Sequence, residues 1–415
     1  MRIRSRIIYP VSRPPIENGG LFISNGRFAA VGDWAHISKV GSGEIIDLGE
    51  VLLLPGLINA HCHLDYTDMA GKIAPPKHFS DWIKAILAVK ASWSFSEYAA
   101  SWLRGTEMLL HTGTTTVADI EAVPELLPEL WASTALRVIS YLEMTGVKSD
   151  RPACQILNEA LQKLETLQVT GKNGAGLSPH ALYSTKPDLL KVSAEAAAKR
   201  NLPTTMHVAE SSEEFEMYSS RCGALFDWLK TQRDMADCGN VTPIQQLVNS
   251  GLMDSQFLAV HVNYLGDGDA QLVAEKNCSV VHCPSSHAYF QHAPFPFEEL
   301  TKAGVNVCLG TDSLASCKPV NGQKAELNMF LEMQRFAEKF PDASPDQIIR
   351  MATVNAAQAL QKCGLIGEIA PEACADFVAL PLSSSSTDVA TAILNHRGSV
   401  SETWVAGNRV FGSGQ

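Results

Sequence analysis

The chain has 415 residues, 46% of them hydrophobic and 19% charged, with a formal net charge of −11. That length and apolar content support a large α/β core with an accessory layer and exclude wholesale disorder. The acidic balance, without a basic run, makes nucleic acid a poor partner, and no apolar run approaches a membrane span.

The basic start MRIRSRIIYPVSRPP leads into no apolar stretch or cleavage site, so it does not read as a signal peptide. Short strands are predicted over Arg2–Tyr9, Gly20–Ser24, Arg27–Val31, Ile45–Leu48 and Val51–Leu53, with Asn25-Gly26 as a hairpin turn. Eight runs then alternate with helical stretches: Leu57–Leu64, Thr114–Ile120, Arg137–Met144, Gly174–His180, Thr204–Glu210, Phe257–Asn263, Ser279–Ser285 and Val305–Asp312. The helices between them include Asp81–Ala91, Ser96–Leu110, Ala153–Leu167, Pro187–Arg200 and Ala270–Lys276. This alternation fits a (β/α)8 TIM barrel better than a doubly wound sheet. Strands return at Asp376–Leu380, Val400–Val405 and Arg409–Phe411, with a turn at Gly407-Asn408, after a serine-rich loop at 383–386. Both ends are therefore expected to pack as one small β-sandwich layer, residues 1–55 plus 364–415, around a barrel of residues 56–363. Ten scattered cysteines without a Cys-x-x-Cys pair, several in apolar runs (Cys62, Cys278, Cys283, Cys308), suit a reducing cytoplasm. The P-loop, dinucleotide, serine-hydrolase and H-E-x-x-H motifs are all absent.

In such a barrel the reactive groups project from the C-terminal strand ends. Those ends carry His61-Cys62-His63, Asp119, Glu143, His180, His207 with Glu210, His261, His282 and Asp312. Residues two apart on a strand share a face, so His61 and His63 can converge on one metal while Cys62 points into packing. A third nitrogen from His207 and a carboxylate from Asp312 would leave a position for water, as a catalytic site requires.

The strings PGLINAHCHLD, MHVAES, AVHVNYL and LGTDS together resemble the amidohydrolase superfamily, within it the metal-dependent deaminase and chlorohydrolase group. The resemblance spans nearly the whole chain, including the end strings AAVGD, ADFVALPL and VAGNRV. It implies His61, His63, His207 and Asp312 as metal ligands, Glu210 as proton shuttle and His261 as a sixth-strand catalytic histidine, with Asp312 also taking a proton. Two-metal relatives carry a lysine at the end of the fourth strand. GLSPHALYS has none, which implies one divalent metal per chain, zinc or iron, and no organic cofactor.

The same resemblance implies hydrolytic deamination of an aminated heteroaromatic ring. SPHALYS and HCPSSHAYF look most like deaminases of adenine-containing nucleosides such as aminodeoxyfutalosine; a triazine chlorohydrolase or guanine-type aminohydrolase is the alternative. A scaffold without catalysis is disfavoured because every ligand position is kept. His180, His287 and Trp82 are expected to contact substrate, Trp82 with Phe79 in a lid or simply packed on a helix face with Ile86. Ser285 stands where many relatives have a basic residue. Asp65 and Asp68 are either supports for the metal residues or a helix start. His111 and His292 are expected to be structural or solvent-facing, and His396 lies outside the barrel. A small molecule is the expected partner, and relatives commonly form homodimers.

Overall fold

The computed structural model describes residues 1–147, 151–167, 169, 171–317, 325–382 and 388–412, so the serine-rich loop lies outside the described residues. Near the N-terminus run β1 (Arg2–Ile8), β2 (Ile16–Ser24), β3 (Arg27–Asp33), β4 (Ile45–Asp47) and β5 (Val51–Pro55). The barrel strands are β6 (Leu57–Cys62), β7 (Thr114–Glu121), β8 (Arg137–Met144), β9 (Gly174–Pro179), β10 (Thr204–Val208), β11 (Phe257–His261), β12 (Ser279–His282) and β13 (Asn306–Leu309). The chain ends in β14 (Phe377–Pro381), β15 (Glu402–Val405) and β16 (Asn408–Gly412).

Strands β6 to β13 pair in sequence order, all parallel, with helices between them. The barrel closes where a parallel bridge joins Cys62 to Asp312 and the Thr311 and Asp312 N–H groups both donate to the His61 carbonyl at 3.1 Å. Asn59 locks the same seam: its Nδ2 donates to Thr311 Oγ1 at 2.8 Å and its Oδ1 accepts the Thr311 N–H at 3.0 Å. A Cβ at Gly310 would sit 2.8 Å from the His61 carbonyl oxygen, so glycine lets the eighth strand approach the first.

The two chain ends share a second sheet, ordered β16-β15-β14-β5-β1-β2-β3, with β4 added beside β1. It forks at β1, which pairs with β4 through Arg2–Arg4 and with β5 through Ile7 and Ile8. Ile3, Leu21, Phe28, Leu53, Phe377 and Trp404 are buried in a core of its own. Asn25 and Gly26, both at positive φ (51° and 71°), make the predicted β2–β3 turn. The last hairpin instead turns on Ala406 and Gly407 (φ 49° and 73°), one residue earlier than expected, leaving Asn408 in β16. The layers meet at a buried ion pair, Arg137 Nε to Asp376 Oδ2 at 2.5 Å, where Asp376 also accepts the Ala406 N–H at 2.7 Å. No helix among the described residues is long and apolar enough to cross a membrane.

Candidate active site

Every residue of β6 is buried, an apolar run carrying one histidine to the barrel's end. His63 follows directly, and the chain then tightens into a 3-10 turn over Leu64–Met69 rather than extending the strand through Leu64. Asp119 on β7 fixes this turn, accepting the Leu64 N–H and the Trp102 indole N–H, each at 2.8 Å. Asp68 is bound to Arg104 at 2.6 Å, whereas Asp65 is buried inside the turn. Cys62 is buried in an apolar cluster that includes Leu64 and Trp102, in keeping with strand alternation.

Four further strand ends converge on the histidine pair. The His61 and His63 rings stand 5.0 Å apart and nearly perpendicular. His207, from β10, donates its Nδ1 hydrogen to the His180 carbonyl at 2.9 Å, which leaves Nε2 as a lone pair 3.2 Å from His63 Nε2. Asp312 Oδ1 lies 3.6 Å from His61 Nε2 and 3.7 Å from His63 Nε2. Its carboxylate is steadied by the Ser313 N–H at 2.7 Å and the Ser316 hydroxyl at 3.2 Å. On the other side Glu210 Oε1 is 3.6 Å from His261 Nε2.

The chain strains to aim these groups. Ala209, His261, Val262 and Asp312 adopt φ of 47°, 73°, 50° and 55°, unfavourable for side chains with a Cβ and most of all for β-branched Val262. These kinks stop β10, β11 and β13 short of the predicted ends at Glu210, Asn263 and Asp312, so three functional side chains leave the strand direction.

The donor set fits a divalent metal. Both ring nitrogens of His61, Nδ1 of His63 and Nε2 of His261 are buried without a hydrogen-bond partner, an arrangement that is costly unless something accepts their lone pairs. Burial drives the His63 and His261 imidazoles well below the usual range and His207 to about 3, which favours their neutral forms. Burial pushes Asp312 upward, but His61, His261 and His63 outweigh it and hold the carboxylate well below its ordinary value. One donor atom from each of His61, His63 and Asp312 lies within 4.8 Å of the others, as do those of His61, His207 and His261. Nitrogen with carboxylate oxygen suits several first-row metals.

Glu210 is prepared differently. Burial, then the nearby Asp312 and Glu214 carboxyls, raise it well above the carboxylate range, which favours its protonated form. Its N–H donates to Glu214 Oε2 at 2.9 Å and its carbonyl accepts Asn263 Nδ2 at 2.9 Å. Burial lifts Glu214 itself to about 8. The adjacent Glu213 turns the other way and accepts the N–H groups of Phe79 (3.0 Å) and Ser80 (3.2 Å), capping the helix Phe79–Ala91. The role of Glu213 is not visible in HVAESSEEFE, because its partners are backbone groups of a distant element; Glu214 makes a local contact at the helix start, where its N–H also donates to the N-cap Ser211.

His63, His207, Glu210 and Asp312 floor a cavity of about 430 Å³. Trp82, Ile86 and Lys90, four residues apart on the capped helix, form one wall, so that helix both packs and covers the site. Val147 and Trp228 add apolar surface, and His180 lines the inner edge with its Nδ1 bonded to Ser184 Oγ at 2.6 Å. His287 does not line this cavity: its Nε2 donates to the Ala293 carbonyl at 2.8 Å. The reason lies in Pro284, which starts the helix Pro284–Phe290 just after β12 and swings the segment away. Ser285 is tied up there too, with its N–H on Glu332 at 2.8 Å. His282 stacks on Phe295 at 3.9 Å as a core residue, and His111 and His396 pack on Phe411 and Phe330. Lys90 and Glu143, 3.5 Å apart in the lining, are a polar pair to which the sequence reading gave no role.

Residues 52–410 match the model of the amidohydrolase family. The chain belongs to that family. It is 28% identical to the 5-methylthioadenosine/S-adenosylhomocysteine deaminase of Nitratidesulfovibrio vulgaris over 385 residues, covering 90% of this chain and 81% of the relative. Among solved structures, this amidohydrolase superposes on an adenosine deaminase from Xanthomonas campestris with bound zinc at a TM-score of 0.86 and 23% identity, covering 99% of this chain and 92% of the other. It also matches the Helicobacter pylori aminofutalosine deaminase in complex with methylthio-coformycin at a TM-score of 0.86 and 19% identity, with 99% and 100% covered.

Proposed function

We propose that this amidohydrolase is a metal-dependent hydrolytic deaminase acting at C6 of the adenine ring in a nucleoside with a bulky 5′ substituent. One observation carries the reading: a buried Glu210 stands 3.6 Å from His261 and beside Asp312, at the floor of a cavity with apolar walls. In this reading His61, His63, His207 and Asp312 hold one divalent metal, zinc or iron. When bound, such a metal supplies Lewis acidity that brings a water ligand close to neutral pKa.

The chain's own groups do the rest. Asp312 accepts a proton from the attacking water. Glu210 gives its proton to the ring nitrogen next to C6, takes one from the added hydroxyl and passes it to the departing amine, and the proton held by Asp312 returns to Glu210, so water and the amino compound become the oxo product and ammonia. His261 hydrogen-bonds the oxygen as it adds to C6, where charge develops. His180 and Trp82 border the ring and its substituent from the cavity edge. Contacts along the wall provide binding energy that a free base lacks, so nucleosides are the better substrates. The free thiols of all ten cysteines suit the reducing cytoplasm as its site of action.

Zinc-loaded protein incubated with 5′-methylthioadenosine, S-adenosylhomocysteine and adenosine should release ammonia, with the ultraviolet change from adenine to hypoxanthine. Much faster turnover of guanine or a chlorinated triazine than of every adenine nucleoside would show the ring assignment wrong.

A further inference from the structure

Glu143, next to last on β8, lines the cavity, where the proposed chemistry gives it no work. Its neighbours are cationic or can be: Lys90 Nζ lies 3.5 Å from Oε2 and His180 Nε2 lies 3.8 Å from Oε1. Both separations are longer than an ordinary hydrogen bond, so the carboxyl oxygens keep lone pairs for something else. Burial pushes the group upward, yet the Lys90 ammonium above all overcomes it and holds it below the usual value. It is therefore an acceptor without a proton. Lys90 is itself placed, with Nζ 4.9 Å over the Tyr66 ring.

The His207 and His180 rings are 4.8 Å apart, and Glu143 is the next polar group beyond His180. The carboxylate is thus one imidazole further from the reacting floor, where the sugar of a bound nucleoside lies if its base meets Glu210. Two acceptor oxygens match the two adjacent donors of a cis-diol. Resting on the nucleoside reading above, we infer that Glu143, held by Lys90, receives the 2′,3′-diol of the substrate's ribose and selects ribonucleosides over ligands that lack it. A free base or a triazine offers no such donors and would leave the carboxylate desolvated without return.

The test measures binding rather than turnover, by calorimetry on zinc-loaded Glu210→Gln protein. Adenosine should bind about 10–100-fold more tightly than 2′,3′-dideoxyadenosine, the range for hydrogen bonds to a charged group. Adding Glu143→Gln should weaken adenosine to near the dideoxy value while the dideoxy compound changes little. A Lys90→Met/Glu143→Gln variant, which removes both partners of the pair together, is measured beside it so that a charge left without its partner does not confuse the result. Equal affinities for the two nucleosides, equal weakening of both by the variants, or binding of neither would overturn the assignment. Failure of the wild-type protein to turn over any adenine nucleoside is a separate result and counts against the deaminase reading.

Discussion

Glu213→Ala isolates the contribution of the wall helix to the site. The substitution removes the acceptor of the Phe79 and Ser80 N–H groups, at 3.0 and 3.2 Å, and the contact to His78 Nδ1 at 3.2 Å. Phe79 and Ser80 are 6% and 1% exposed, so water cannot replace the lost acceptor unless the first turn opens. Each backbone bond to a charged acceptor contributes about 1.5–3 kcal/mol, and fraying returns part of that, which leaves about 3 kcal/mol of local stability at stake. Melting temperature is a poor assay in a chain of this size, where unfolding is seldom two-state or reversible. Amide hydrogen exchange reads the helix directly. Amides of Phe79–Ala91 that exchange by local opening should speed up about 100-fold, since 1.4 kcal/mol corresponds to tenfold. Those of β6 and β10 should not change, and KM should rise more than kcat falls because Trp82 and Lys90 ride on this helix. Glu213→Gln, which keeps one acceptor oxygen, should fall between. Unchanged exchange in the helix would refute the capping argument.

Further outcomes follow from other contacts. His61→Ala should lose the metal along with activity, since both of its buried ring nitrogens lack any other partner; elemental analysis should fall from about one metal per chain, the expected ligand-set stoichiometry, towards none. A wild-type value near two, with activity following the second ion, would contradict the mononuclear centre. Glu214 is raised by burial to about 8, so the folded state binds its proton more tightly than the unfolded state. Its contribution is therefore fully present below the unfolded carboxyl value and is lost as pH rises from about 4.5 through about 8. Glu214→Gln should flatten this decline in denaturant titrations across that window, and an unaltered slope would show that Glu214 titrates normally. Arg137→Met leaves the Asp376 carboxylate buried without its cation, and should cost about 3–5 kcal/mol, detected as much faster inactivation on heating. An inactivation rate within twofold of wild type would mean that the joint between barrel and terminal sheet bears little of the stability.

The barrel was legible because buried parallel strands are short apolar runs, and these ended on polar residues in register with one pole. His61 and His63 could be read together because a strand places alternate residues on one side. The strand ends were overextended for a local reason: Ala209, Val262 and Asp312 take left-handed backbone angles that nothing in their side chains announces. His287 was misplaced because a proline-started helix replaces strand after His282. Glu213 resembles a solvated helix charge in sequence, and only the fold brings the N–H groups of Phe79 and Ser80 to it. Lys90 and Glu143 are 53 positions apart on different elements, so no spacing rule could pair them.

The central claim is that Glu210 carries the protons of a C6 deamination. The direct measurement compares wild-type and Glu210→Gln proteins, both zinc-loaded to the same content, in conversion of 5′-methylthioadenosine monitored in the ultraviolet with ammonia quantified in parallel. The amide nearly preserves shape but cannot carry a proton, so turnover should fall about 10²-fold or more with metal content and fold unchanged. Near-normal turnover in the variant would contradict the account, and loss of the metal would place Glu210 among the ligands instead.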